Sequence, residues 1–264
     1  RVVADGGTDS YTGETITITL SASKASKFVS ALTTLVDVSG GDAATVIAYL
    51  DLPADFNLAT DNPLEVLEVQ KVNAMLINII AVGESLLEGA GITDAAGDEL
   101  IVLQMIESIK AGKDIGESSV VTEILTNSAI GTVAATRVSE LAADVSTSIV
   151  NANALVDAAT DVTGIAIVQK VVLDNDSGIT FTVKTIATGT SVYTPQTTTQ
   201  LTTSMDTADI AGNQAPIDIK LSGVSVSENS LGAVLGTLST TDPDAGETFT
   251  YTLFNIIRNL INIE

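Results

Sequence analysis

From Lys24 to Gly164, apolar residues recur at spacings of three and four, and the only prolines in that stretch are Pro53 and Pro63. Sustained over so many residues, this period limits the fold more than any other feature, because it gives each helix one apolar stripe that must be covered by another helix. Phe28, Ala31, Leu32, Leu35 and Val36 mark a first helix ending before Ser39-Gly40-Gly41, and Asp42 is placed to N-cap a second. A turn-rich connector runs through residues 51–63. Asn62 and Pro63 then open a long helix carrying Leu64, Leu67, Val72, Met75, Leu76, Ile79, Ile80, Leu86 and Leu87, stopped by Gly89 and Gly91. Further helices are expected over 97–112, from Glu117 to about Thr126, and over 131–159, where Val133, Val138, Leu141, Val145, Ile149 and Leu155 repeat at helical spacing. Five or six such helices predict a bundle.

The two ends have a different texture. Residues 14–22, ETITITLSA, alternate Ile16, Ile18 and Leu20 with threonines, the period-two pattern of a strand with one buried face and no evident hairpin mate nearby. A lone strand does not persist in water, so it must pair elsewhere in the chain or in another molecule. After Gly164 the chain is β-branched and threonine-rich, in GIAIVQKVVL, GITFTVKTIA and TSVYTPQTTTQLTTSM, and reads as strands and loops. AGNQAP at 211–216 has the composition of a linker.

Composition removes several function classes. Eleven basic residues against 33 acidic ones give a formal charge of -22, so nucleic acid and anionic lipid surfaces repel the chain. Cysteine, histidine and tryptophan are absent, and thiol nucleophiles, imidazole bases and zinc or copper sites go with them. The acidity suits divalent cations bound through oxygen. No secretory signal is visible at Arg1, and the start reads as processed or truncated. The longest apolar stretch, residues 74–91, is interrupted by Asn78, Gly83, Glu84 and Glu88, so a buried helix is expected and membrane insertion is not.

Residues 213–253, NQAPIDIKLSGVSVSENSLGAVLGTLSTTDPDAGETFTYTL, closely resemble the opening half of the cadherin-like repeats of large bacterial surface adhesins. The Ala-Pro pair, SVSEN and GTLSTTDPDAG stand where that family has its first two strands and the turn after them. The resemblance implies a β-sandwich begun and not completed, with calcium bound by acidic positions between repeats. It places Glu228, Asp242 and Asp244 as calcium ligands, with Asn213 a weaker one from the linker. Independently, Asp242-Pro243-Asp244 holds two carboxylates in a stiff local geometry that suits a hard cation. The alternative for those carboxylates is an ordinary turn. The helical portion, with LTTLV, LDLPADFNLATDNP and QKVNAMLINII, also resembles a helical module of the same kind of surface protein.

Other candidates read as structural. Asp174 and Asp176 have the spacing that opens an EF-hand loop, but the distal glutamate is missing and a β-turn is expected. Asp98 with Glu99, and Glu65 with Glu68, sit on helical stretches as solvated acidic faces. Arg137, Lys71 and Lys110 are isolated and make no anion site. No catalytic residue emerges.

The expected fold is therefore α+β: an N-terminal strand segment (1–23), a helical bundle (24–164), a β-rich region (165–212) and a partial cadherin-like repeat (213–264). The expected function is a non-enzymatic structural or adhesive protein of a bacterial cell surface, extracellular, with calcium as cofactor. Its partners are expected to be further copies of itself, the strand at 14–22 being donated head-to-tail into a fibre, or neighbouring modules of a long adhesin of which this chain is a fragment. A secreted hydrolase using a carboxylate pair is the reading from another class.

Overall fold

The computed structural model describes residues 1–8, 12–92, 96–208, 218–222 and 237–241. They divide into two compact units, Arg1–Gly212 and Asn213–Glu264. The described residues are mostly helical, with little strand. In the first unit, strands β1 (Val2–Thr8) and β2 (Thr15–Ala22) precede α1 (Ala31–Val38), α2 (Ala43–Tyr49), α3 (Leu67–Gly89), α4 (Ala96–Lys110), α5 (Ser118–Ser128), α6 (Ala135–Ala158), α7 (Val162–Leu173), α8 (Ile179–Ala187) and α9 (Thr198–Met205).

Local chemistry sets these boundaries. Ser30 caps α1, its hydroxyl accepting from Thr33 N while the Thr33 side chain returns a bond to the Ser30 N–H. Asn73 on α3 adds a second cap, its Oδ1 accepting from Ala31 N at 3.0 Å. Asp42 caps α2, and Asn62 with Pro63 opens a 3-10 turn just before α3. Thr197 and Gln200 form a capping box at α9.

At the centre lies α3, packed against α4, α6, α7 and α8. Its Val69, Leu76, Ile79, Ile80, Val82, Leu86 and Leu87 are buried. By length and composition α3 could cross a membrane, but here it is the core helix of the unit. On α6, Val138, Val145, Ile149, Ala152 and Val156 are fully buried at helical spacing. A connector over residues 188–197 runs beside α6. Arg137 donates to the carbonyls of Ile186 and Ser191, Tyr193 OH to Ser148 Oγ at 3.0 Å, and Asn151 Nδ2 to the Gln196 carbonyl at 2.8 Å.

The fold expected for 165–212 is corrected here: its described residues, 165–208, are mainly helical and not β-rich. In α7 the buried residues are Ile165, Ala166, Val168, Gln169, Val172 and Leu173, a helical stripe that β-branched composition obscures. In ITFTVKT the alternation of Ile179, Phe181 and Val183 with Thr180, Thr182 and Lys184 imitates a strand. The helix α8 instead buries Ile179, Val183 and Ala187, four apart, and leaves Phe181 43% exposed. Tertiary burial has overridden residue preference.

The strand at 15–22 has a mate in its own chain. β1 and β2 pair antiparallel from Val2↔Ala22 to Thr8↔Thr15, with an irregularity between Asp5 and Gly7. The hairpin rests on α1, where Ser21 N donates to Thr34 Oγ1 at 2.8 Å and the Thr33 hydroxyl donates to the Ser21 carbonyl at 3.0 Å.

In the second unit, β3 (Asp218–Leu221) pairs antiparallel with β4 (Leu238–Thr241), in register from Asp218↔Thr241 to Leu221↔Leu238. Among the described residues no C-terminal β-sandwich is evident, which corrects the expected sandwich-like region; the described strands form two-stranded sheets.

Candidate functional site

The most developed polar constellation among the described residues joins the hairpin to the end of α7. Glu14 precedes β2, and its side chain is 10% exposed. One carboxylate oxygen takes the Lys170 ammonium; the other accepts from Asn175 N at 3.0 Å and Asn175 Nδ2 at 2.7 Å. Lys170 also faces Asp174 at 3.4 Å, one helical turn on. The hydrogen bond to Glu14 raises the Lys170 pKa above its ordinary value, and the Asp174 carboxylate adds to this. The ion pair with Glu14 and Asp174 favours the protonated amine. Burial pushes the Asp174 carboxyl up, but hydrogen bonds from Asp176 N, Ser177 and Lys170 outweigh it and hold it below the usual range.

That arrangement also settles the chemistry of the DNDSG loop. Asp174 Oδ1 accepts from Asp176 N at 3.0 Å, Ser177 N at 2.8 Å and Ser177 Oγ at 2.9 Å, an Asx turn leading into α8. Gly178 is required there, since a Cβ would lie 2.7 Å from the Asp174 backbone nitrogen.

A second constellation lies inside the bundle. Asn78 Nδ2 donates to Asn153 Oδ1 at 2.9 Å, Gln169 Nε2 donates to Asn78 Oδ1, and Asn153 Nδ2 reaches the Met75 carbonyl at 3.4 Å. Asn78 is fully buried. These amides satisfy one another across α3, α6 and α7, which is what a buried polar group requires.

The pair Glu65 and Glu68 takes no part in these sites. Glu65 and Glu68 are exposed, and Asn62 Nδ2 donates to Glu65 at 3.3 Å. Glu99 is exposed as well. Lowered carboxylates occur at Asp42, through Thr45, and at Asp61, through Asn57 N and Thr60, both of them caps or turns. Burial raises the phenols of Tyr193 and Tyr49. Of the isolated cations, Arg137 pairs with Glu140, Lys110 with Glu107, and Lys71 donates to the Asp157 carbonyl.

An open groove of about 390 Å³ runs between β2, α3 and α8, with Ile18, Ala81, Leu173 and Phe181 among its apolar lining. Glu88 and Lys184, in ion contact at 2.6 Å, also line it. Another, of about 370 Å³, exposes Val72 and Met75 beside Asp51 and Asp114.

Asn213, Glu228, Asp242 and Asp244, the expected calcium ligands, lie outside the described residues. Among the described residues no group of three or more acidic side chains is placed to hold a metal ion. Sequence reasoning missed Glu14, Lys170 and Asn175 as a set, because Glu14 and Lys170 are 156 positions apart. The one available hint was an acid standing immediately before an apolar strand. No protein family, curated protein or solved structure matches the chain.

Proposed function

We propose that this chain is a non-enzymatic structural or adhesive part of an extracellular bacterial surface protein, with a helical module followed by the opening of a calcium-binding repeat. One observation carries the reading. The chain divides into compact units between Gly212 and Asn213, where the cadherin-like sequence begins, and Asp218–Leu221 and Leu238–Thr241 pair within that sequence. The polar constellations of the helical unit, at the hairpin clasp and among Asn78, Asn153 and Gln169, are inter-element ties, which fits a load-bearing or spacing role. The donor set proposed for calcium, Asn213, Glu228, Asp242 and Asp244, consists of oxygen ligands only, the kind a hard cation takes.

The modular form is preferred to a fibre built by donating one strand, because β2 already has β1 as its partner. Differential scanning calorimetry tests the calcium claim. With about 1 mM calcium, in the range of extracellular modules, a melting transition should move upward by linkage. Asp242→Asn with Asp244→Asn should remove the shift. An unchanged thermogram in calcium refutes the calcium-binding repeat.

A further inference from the structure

The N-terminal hairpin differs from the rest of its unit in how it is held. Among its described side chains, only Ile18 and Ala22 join the buried apolar set, while Val2 and Val3 are 42% and 50% exposed. By contrast, α3 buries Val69, Leu76, Ile79, Ile80, Val82, Leu86 and Leu87, and α6 buries Val138, Leu141, Val145, Ile149 and Val156. Polar ties hold the hairpin at its two ends. At one end Arg1 meets Asp37 at 3.0 Å and the Ser21 hydroxyl donates to Asp37 at 2.7 Å. At the other stands the clasp of Glu14 with Lys170 and Asn175. Residues 23–30 join the hairpin to α1 without helix or strand, so detaching it breaks no continuous helix.

We propose that the β1–β2 hairpin, strands Val2–Thr8 and Thr15–Ala22, opens from the helical body as a separate unit, and that the Glu14–Lys170–Asn175 clasp sets how readily it does so. Cooperative units open in order of the apolar contact and hydrogen bonding that hold them, and the hairpin has the smaller share of both. Of the two ion pairs the clasp's is the more consequential, because Glu14 is nearly enclosed and faces Lys170 from α7 and Asn175 from the following turn, whereas Arg1 is 48% exposed; the bonds of Ser21 to Thr33 and Thr34 of α1 carry no charge. Opening uncovers the surface of α1, α3 and α4 on which β2 lies. This inference does not depend on the proposed calcium-binding repeat.

Hydrogen exchange followed by mass spectrometry on the full chain tests it, comparing the wild type with Glu14→Gln and Lys170→Met at neutral pH. Gln keeps the shape at position 14 and an acceptor for Asn175 while removing the charge that pairs with Lys170. Protection of amides in residues 15–22 should fall about tenfold or more in either variant, with those in α6 unchanged. Equal loss of protection in hairpin and α6 would show that the two open together and overturn the proposal. So would unchanged protection of residues 15–22 in both variants. If neither variant folds, the clasp supports the whole body and separate opening is equally refuted.

Discussion

Replacing Gly89 with alanine should destabilise the helical unit even though alanine favours helix. Gly89 ends α3, where α8 passes closest: a Cβ there would stand 2.3 Å from the Lys184 carbonyl oxygen and 2.7 Å from Ala187 Cβ. The first of these is backbone, so relief requires the two helices to separate by about 1 Å, and forcing extra volume into a packed contact typically costs about 1–3 kcal/mol. The opposing gain from alanine is at most about 1 kcal/mol in a helix interior and smaller at a last turn. A net loss of about 1–2 kcal/mol follows, or about 2–8 °C in melting temperature for a unit of this size. Gly83→Ala provides the contrast. Its Cβ would meet the tips of Ile101 and Leu125 at 2.8 and 3.0 Å, side chains that can shift rotamer, and the site is mid-helix. It should be near neutral. Urea titration of both variants, monitored by circular dichroism, reads the difference. If Gly89→Ala equals or exceeds Gly83→Ala in stability, the close α3–α8 crossing is not what holds these helices together.

Asn78→Leu should cost about 1–3 kcal/mol in the same titration, because it leaves Asn153 Oδ1 without its donor and takes away the nearer of two acceptors of Gln169, the other being the Ala74 carbonyl; a stabilised variant would show that the amides are dispensable. In pH scans, the lowered pKa of Asp174 means its contribution is present above the ordinary carboxylate value of 3.8 and is lost as pH falls through the depressed folded value. Lys170 works in the opposite direction: with its pKa raised, its contribution is complete below 10.5 and is lost as pH climbs through the raised value. Lys170→Met should therefore flatten the alkaline limb of the stability curve, and an unaltered limb would count against the ion pair.

The helical bundle could be read from sequence because its signals are local. Caps at Asp42 and Asn62 act within two or three residues, and the apolar stripe of α6 holds one phase over about five turns. The reading failed over α7 and α8 because valine, isoleucine and threonine prefer strands, and because ITFTVKT satisfies a two-residue period as well as a four-residue one. Only the environment decides between them, and here α8 lies against α3, with Val183 fully buried and Phe181 turned outward. The mate of β2 was missed for another reason. β1 reads VVADGGT, with two glycines and one acid, and shows little alternation of its own. Neither polar constellation was legible, because contacts over 75 residues and more leave no trace in spacing.

The connector beside α6 has a mechanical consequence. It enters near Arg137 and leaves near Asn151, so it tracks the helix for about 20 Å at 1.5 Å per residue. Tension applied from beyond α9 along that axis would be shared among the attachments at Arg137, Ser148 and Asn151 instead of falling on each in turn. The longest surface helix would then act as a splint, and the innermost helices would feel the pull last.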